Sequence, residues 1–302
     1  MPRLKALFLR LLLVAVFAAV SPFALAQNSA PKLAGLIVDK KNNSLHLVTF
    51  TEAGYTVQKT FHTTLGLAAG DKEKEGDKKT PEGIYFFEEL KRPPRLLKKF
   101  GNLALTMNFP NPWDRFMGKS GSGIWLHATD EPKRLDKDFD SLGCVVVRNE
   151  EIEELLPRLT YRTSPVLVFD DFEKRKELLK PERLAALVAF VKGWAHNWSE
   201  KNMENYIHSY HAGFSSNGKD RKQWRAYKGQ LNQQYASISV KLTHLFVFAH
   251  PKYDVAIFKQ VYESRLKNGK VAKRTEGVKI LYLANEDGAP KILSEEFRDT
   301  QL

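Results

Sequence analysis

The sequence predicts a mainly β first half joined to an α+β second half. Apolar side chains alternate every second residue through much of residues 33–65, the period of a half-buried strand. Beyond Pro181 the spacing becomes helical, with Leu184, Leu187, Val188, Val191, Ala195 and Trp198 recurring every three or four residues. Long alternating stretches return after Tyr235. A strand-rich half followed by helices and then strands points to two separately cored units.

Taken in order, "GLIVDKKNNSLHLVTF" is two strands about a polar Lys-Lys-Asn-Asn turn, and "GYTVQKTFHTTLG" is a third. A charged, glycine-rich loop spans Gly70 to Gly83, and "IYFFEEL" is the next strand. "KRPPRLLKKFG" is a proline-broken connection, and "LALTMNFPNPWDRFMGKSGSG" reads as irregular. Two short apolar strands follow, "GIWLHAT" with His127 and "GCVVVRN" with Cys144. The acid-rich loop between them, with Asp130, Glu131, Asp136, Asp138 and Asp140, lacks the spacing of a calcium loop and reads as solvated. "NEEIEELLPRL" is a short helix with acids in its first turn, and "SPVLVFD" closes the first unit at about residue 170. Residues 171–182 read as a charged linker. The second unit, 183–302, holds the helix described above, a second at "NMENYIHSY", and the strands "YASISVKL", "HLFVFAH", "YDVAIFKQVYES", "VKILYLAN" and "PKILSEEF".

Residues 1–26 read as a secretory signal: Arg3 and Lys5, an apolar run, then Ala-Leu-Ala before the expected cleavage point. The run is interrupted by Arg10 and Pro22 and is short for a membrane span. Cleavage removes three of 47 basic residues and none of 35 acidic ones, so the charge falls from +12 to +9. A basic exported protein suits an anionic partner such as a wall polymer or membrane surface. Nucleic acid is not expected, because the charges are dispersed and no recognition motif occurs. The predicted location is the periplasm.

In that compartment the single cysteine is informative. Cys144 has no internal partner for a disulfide, and a lone thiol there is buried or in use. One cysteine and scattered histidines offer no zinc cluster, so no metal or other cofactor is expected. His127 lies seventeen residues before Cys144, and two adjacent strands could bring them together as base and nucleophile. Spacing alone favours the structural reading, because many strands carry a histidine. Gly143 would let a substrate approach the backbone, whose amides could steady an oxyanion. Trp125 shares the strand parity of His127.

"GIWLHATDEPKRLDKDFDSLGCVVV" resembles the active-site segment of the YkuD-type L,D-transpeptidases, on His127, Ser141, Gly143 and Cys144. "GDKKTPEGIYFF" matches the family's Thr-Pro-x-Gly with Thr80, Pro81 and Gly83. The resemblance spans roughly residues 33–170. It implies a mainly β YkuD-like fold, a peptidoglycan stem peptide as substrate, Cys144 as nucleophile and His127 as base. In the family the carbonyl after the histidine orients it, a role that falls to Ala128. Thr80, Pro81 and Gly83 would border the active site. Trp125 could line the substrate groove, with core packing the ordinary reading, and Lys78, Lys79 and Arg115 could meet stem-peptide carboxylates, with surface charge the ordinary reading. Ser141 is either an orienting residue or a turn residue. The sequence departs from the family pattern at Leu142, which replaces a histidine, at Ala128, often glycine, and at Val146, which replaces an arginine. Arg148 is the nearby candidate to substitute for that arginine. These departures resemble the cell-shape L,D-carboxypeptidase subgroup. Water or a second stem's amine could resolve the thioester, giving an L,D-carboxypeptidase or an L,D-transpeptidase. An amidase that releases protein from peptidoglycan and a silent wall-binding protein are the alternatives.

Residues 183–302 resemble a nuclear transport factor 2-like domain, an α+β cone around helices, on the tryptophans and tyrosines of "AFVKGWAHNWSEKNMENYIHSYHAGF" and on "KDRKQWRAYK". The resemblance implies a pocket open to a ligand or protein partner.

Overall fold

The computed structural model describes residues 31–52, 54–300 and 302. The expected signal segment lies outside them. In the first half, strands β1 (Leu33–Asp39), β2 (Ser44–Thr51), β3 (Gly54–His62), β4 (Leu65–Gly66), β5 (Gly83–Lys91) and β6 (Ala104–Met107) precede helix α1 (Pro112–Phe116). Then come β7 (Trp125–His127), β8 (Phe139–Ser141), β9 (Val145–Val146), α2 (Asn149–Leu155) and β10 (Pro165–Phe169). Eight of these strands form one sheet in the order β3-β2-β1-β10-β5-β6-β7-β9, and β4 pairs with β8 beside it. The stretch expected to be irregular supplies β6, which pairs with β7 and fixes the His127 strand inside the sheet, and α1, capped by Asn111.

Helix α3 (Phe172–Arg175) and a following single turn occupy the expected linker, and Phe172 and Leu179 are buried there. Charged residues dominate this stretch, so its two anchoring apolar residues give little periodic signal. The second half then folds as α4 (Pro181–Ser199), α5 (Met203–His208), a small hairpin of β11 (Ser215–Ser216) and β12 (Lys219–Asp220), and α6 (Arg221–Gln234). Strands β13 (Ser237–Ala249), β14 (Asp254–Arg265), β15 (Val271–Glu286) and β16 (Ala289–Arg298) form an antiparallel meander. Helix α4 starts with Pro181 in its first turn and buries Leu184, Leu187, Val191, Trp194, Ala195 and Trp198 along one face. Asp220 and Gln223 form a reciprocal capping box that starts α6. The stretches "YASISVKL" and "HLFVFAH" are one strand, β13, interrupted by a bulge at His244, where φ is +52°.

The two sheets pack face to face. Ile37, Ile84, Phe86, Leu167 and Phe169 meet Phe248, Val255, Ile257, Ile280 and Tyr282 in one shared core. The opposite face of the first sheet holds Leu36, Val38, Tyr85, Leu126 and Val145 with Ile152 and Leu155 of α2. The opposite face of the second sheet holds Ala256, Phe258 and Leu281 against α4, α5 and α6. Both sheets are thus covered on both faces, which explains contiguous apolar runs such as "DVAIF" and "PVLVF". Tyr253 pins the halves together. Its hydroxyl accepts from the Ile84 amide at 2.6 Å and donates to the Ile84 carbonyl at 2.9 Å.

The interior between helices and second sheet is filled by aromatic side chains, with Lys228 buried among them. Its ammonium lies 3.5 Å from the Trp198 ring centroid and 4.6 Å from that of Trp224. Burial lowers the pKa of Lys228 to about 7. Among the described residues no helix is long and apolar enough to cross a membrane.

Candidate active site

Strand β7 lies between β6 and β9. It runs parallel to β9 with Leu126 opposite Val145 and His127 opposite Val146, and the Val147 amide donates to the His127 carbonyl at 3.0 Å. This pairing places the end of one strand beside the start of the next, so His127 and Cys144 line the same cavity. Its volume is about 220 Å³, and Trp125, Ser141, Lys99, Phe100 and Arg134 share the lining.

The imidazole is held by one hydrogen bond and one ring contact. Its Nδ1 donates to the Ala128 carbonyl at 2.5 Å, which leaves Nε2 as the free acceptor. Phe100 packs edge-on against it at 4.9 Å and against Trp125 at 4.8 Å. Burial pushes the pKa of His127 down to about 4, opposed by the Ala128 bond and assisted by the charges of Arg134 and Lys99.

The Cys144 thiol donates to the Gly123 carbonyl at 3.4 Å and is nearly enclosed. Burial pushes its pKa up, against the opposing pull of the Trp125 amide and of Arg134 and Lys72. The resting pair is therefore neutral thiol and neutral imidazole. This differs from the thiolate that a basic neighbour alone would give; the charged forms are disfavoured because both groups are out of water.

The turn before the thiol depends on Ser141 and Gly143. Ser141 Oγ donates to the Cys144 carbonyl at 2.7 Å and accepts from the Gly143 amide at 3.1 Å. Ser141 is thus a turn-holding residue. The Gly143 amide, expected as an oxyanion donor, is engaged by that hydroxyl. Gly143 itself has φ +124°, and a Cβ there would stand 2.6 Å from the Lys79 carbonyl oxygen.

Four of the substrate-bordering residues expected from the sequence lie outside this cavity. Thr80 is buried and its hydroxyl accepts from the Gly66 amide at 2.9 Å, bracing the strand β4 that pairs with β8. Pro81 is buried beside it. Gly83 opens β5 where a Cβ would meet the Tyr253 hydroxyl at 2.7 Å, so its place is in the packing of the two sheets. Arg148 faces Glu151 at 4.0 Å ahead of α2 and leaves the cavity to other cations. Trp125 alone of the five lines it.

Sequence reading missed Lys99, Phe100 and Arg134. All three come from connections that read as irregular or solvated. The signal available was Leu135, an apolar residue flanked by charges in the acidic loop. It is buried against Cys144 and Val146 and draws Arg134 inward. Leu142, where the family carries histidine, stands exposed at the cavity rim. A larger cavity of about 710 Å³ lies between the halves, lined by Arg115, Phe116, Arg162, Glu296, Phe297 and Arg298 among others. It contains neither histidine nor cysteine, so the chemistry points to the smaller one.

A β-rich fold of two face-packed sheets, with a thiol and an orientated imidazole in one narrow cleft, defines a two-part protein of the thiol–imidazole class. A model of the YkuD L,D-transpeptidase catalytic domain matches residues 34–168, and a model of the Cds6 C-terminal NTF2-like domain matches residues 186–296. Bd1075 of Bdellovibrio bacteriovorus is 30% identical, with a TM-score of 0.73 over 89% of this chain and 93% of that one. The chain belongs to the YkuD L,D-transpeptidase family, in the form that carries a C-terminal NTF2-like domain. The helical cell shape determining protein Pgp2 of Campylobacter jejuni shares the fold, with a TM-score of 0.67 at 21% identity over 88% of this chain and 92% of Pgp2. YafK of Escherichia coli K12, whose name provisionally makes it an L,D-transpeptidase, is 32% identical over 93 residues, 30% of this chain. That match spans about a third (32%) of YafK.

Proposed function

We propose that this chain is an exported peptidoglycan-modifying enzyme that cuts tetrapeptide stems between the diamino acid at position three and D-alanine, through a thioester on Cys144. The observation that carries the reading is the shared cavity of Cys144 and His127, with Nε2 of the imidazole left as acceptor. The family membership supplies the substrate class. Residues 33–170 are read as the catalytic unit, 171–182 as its connection, and 183–302 as an accessory domain. Export rests on the signal-like composition of residues 1–26.

In this mechanism the Cys144 thiol turns from the Gly123 carbonyl toward His127 Nε2 and gives up its proton as sulfur attacks the stem carbonyl. The C–N bond breaks, the D-alanine amine leaves with the proton from His127, and the stem acyl group remains on sulfur. Water activated by the same nitrogen then hydrolyses the thioester. The neutral resting pair suits this order, because proton transfer is coupled to attack instead of preceding it. The narrow cavity supports water over a second stem as acceptor, and hence an L,D-carboxypeptidase. The likeness to a cell-shape protein supports a part in shaping the wall.

The test is to incubate the protein without residues 1–26, and its Cys144→Ala variant, with disaccharide tetrapeptide and to follow products by mass spectrometry. Tripeptide formed only by the parent supports the proposal. Cross-linked dimer would replace the carboxypeptidase reading with a transpeptidase one, and tripeptide formed equally by the variant would overturn the role of Cys144.

A further inference from the structure

The candidate active site carries formal charge of one sign. Lys99 and Arg134 line the cavity, and no carboxylate does. Arg134 is already partly neutralised: its Nη2 donates to the Asp140 carbonyl at 2.6 Å and its Nε lies 3.4 Å from Asp140 Oδ2. Lys99 is not. Among the described residues its ammonium meets no carboxylate, and it stands 5.1 Å from the centroid of the Phe100 ring, the ring that covers the imidazole. A cation with no counterion at the mouth of a nucleophile's cavity is a ready acceptor for an anionic substrate group.

The proposed reaction offers one such group close at hand. The terminal carboxylate of the expelled residue lies within a single residue's length, roughly 3.5 Å, of the scissile bond. We propose that Lys99, with Arg134 as a second contact, binds this carboxylate, so that the site selects stems whose last residue carries a free C-terminus. The inference rests on the reading of Cys144 as nucleophile given above, and it names what that nucleophile is offered. It also gives substrate binding a chemical consequence. The two cations disfavour a proton on His127, so a carboxylate that neutralises them makes the imidazole a better acceptor for the thiol proton.

The test compares disaccharide tetrapeptide ending in D-alanine with the same compound ending in D-alaninamide. Values of kcat/KM are measured for the parent, Lys99→Met and Lys99→Arg, and acylation of Cys144 is followed separately by intact mass. The parent should prefer the free acid by about tenfold, the scale of one charge-assisted hydrogen bond. Lys99→Met should bring the ratio close to one, chiefly by raising KM for the acid, and Lys99→Arg should keep most of it. The preference should also shrink as salt is added, because Lys99 is exposed. Equal use of acid and amide by the parent, or a proportional loss on both in Lys99→Met, would overturn the proposal. If neither compound acylates Cys144, the nucleophile reading fails first and takes this one with it.

Discussion

His127 donates its Nδ1 proton to the carbonyl of the very next residue, Ala128, at 2.5 Å. A side chain so anchored cannot turn over to present its other nitrogen, so Nε2 alone is available to the cavity. Burial meanwhile keeps the ring neutral down to a pH of about 4. His127 is therefore in its neutral, proton-accepting form across the neutral range, and in the proposed mechanism the group that limits reactivity is the thiol.

That ordering sets the pH dependence of Cys144. Since burial holds the thiol above its ordinary range, the fraction of thiolate grows only in alkaline solution. Alkylation of the free protein by iodoacetamide should be slow at neutral pH and rise with an apparent midpoint above about 8.5, the value of an unperturbed cysteine. A midpoint well below that value would contradict the neutral resting pair.

Two buried histidines predict acid sensitivity. His250 donates from Nε2 to the Val168 carbonyl at 3.0 Å and accepts at Nδ1 from the Lys252 amide at 3.3 Å, so a second proton would break the latter bond. Burial lowers its pKa to about 3, as it lowers that of His127 to about 4. Both folded values lie below the unfolded value of about 6.5, so the unfolded chain binds more protons between them. Stability is then fully present above about pH 6.5 and falls as the pH drops toward the folded values. Urea unfolding at pH 5 should show a loss of roughly 2 kcal/mol from each histidine relative to pH 7. Asp114 and Asp254, whose carboxyls burial holds above the ordinary range, act in the opposite direction. A His250→Phe variant isolates one half of the effect: its stability should depend less steeply on pH over this window, and an unchanged slope would remove His250 from the account.

Gly143→Ala should damage the site directly. The added methyl meets the Lys79 carbonyl at 2.6 Å, and the positive φ is strained for any L side chain. We expect a loss of about 1–3 kcal/mol in stability and at least about a tenfold fall in turnover, as the Ser141-held turn shifts the thiol. Turnover equal to the parent's would show that the turn does not position Cys144.

Tyr253→Phe tests how the two halves are joined. The hydroxyl satisfies both backbone groups of Ile84 and accepts from Asn111 Nδ2 at 2.6 Å, all in the interior. Its removal takes away the hydroxyl that the buried Ile84 amide donates to, while the Ile84 carbonyl keeps its bond from Asn111 Nδ2 at 3.0 Å, at a cost of about 2 kcal/mol. Unfolding followed by denaturant titration should show that loss; a variant as stable as the parent would mean that the contact contributes nothing net.

Much of this was legible in the sequence. Apolar runs, alternating in places, found β1, β2, β3, β5 and β14, because the strands are buried on one face or on both. The helical spacing after Pro181 found α4, whose apolar stripe meets a filled interior. His127 and Cys144 stood out because the segment around them resembles the family's active-site signature; their spacing alone did not distinguish a reactive pair from a structural one. Strand β6 was not legible, since four residues among prolines and aromatics carry no period. The contribution of Phe172 and Leu179 to the shared core was hidden by the charges around them. Thr80, Pro81 and Gly83 are conspicuous by type, yet their work is bracing, and only the three-dimensional path from Thr80 through Gly66 to β8 reveals it. Lys99 and Arg134 were invisible for the opposite reason: a lysine and an arginine in a basic chain look like surface.

The most direct test of the central claim is the intact mass of the protein during turnover of disaccharide tetrapeptide, at early times and near neutral pH. The account predicts an adduct of the stem acyl group on the peptide containing Cys144, absent from Cys144→Ser and much reduced in His127→Gln. Tripeptide released by Cys144→Ser as fast as by the parent, with no adduct on either, would contradict it.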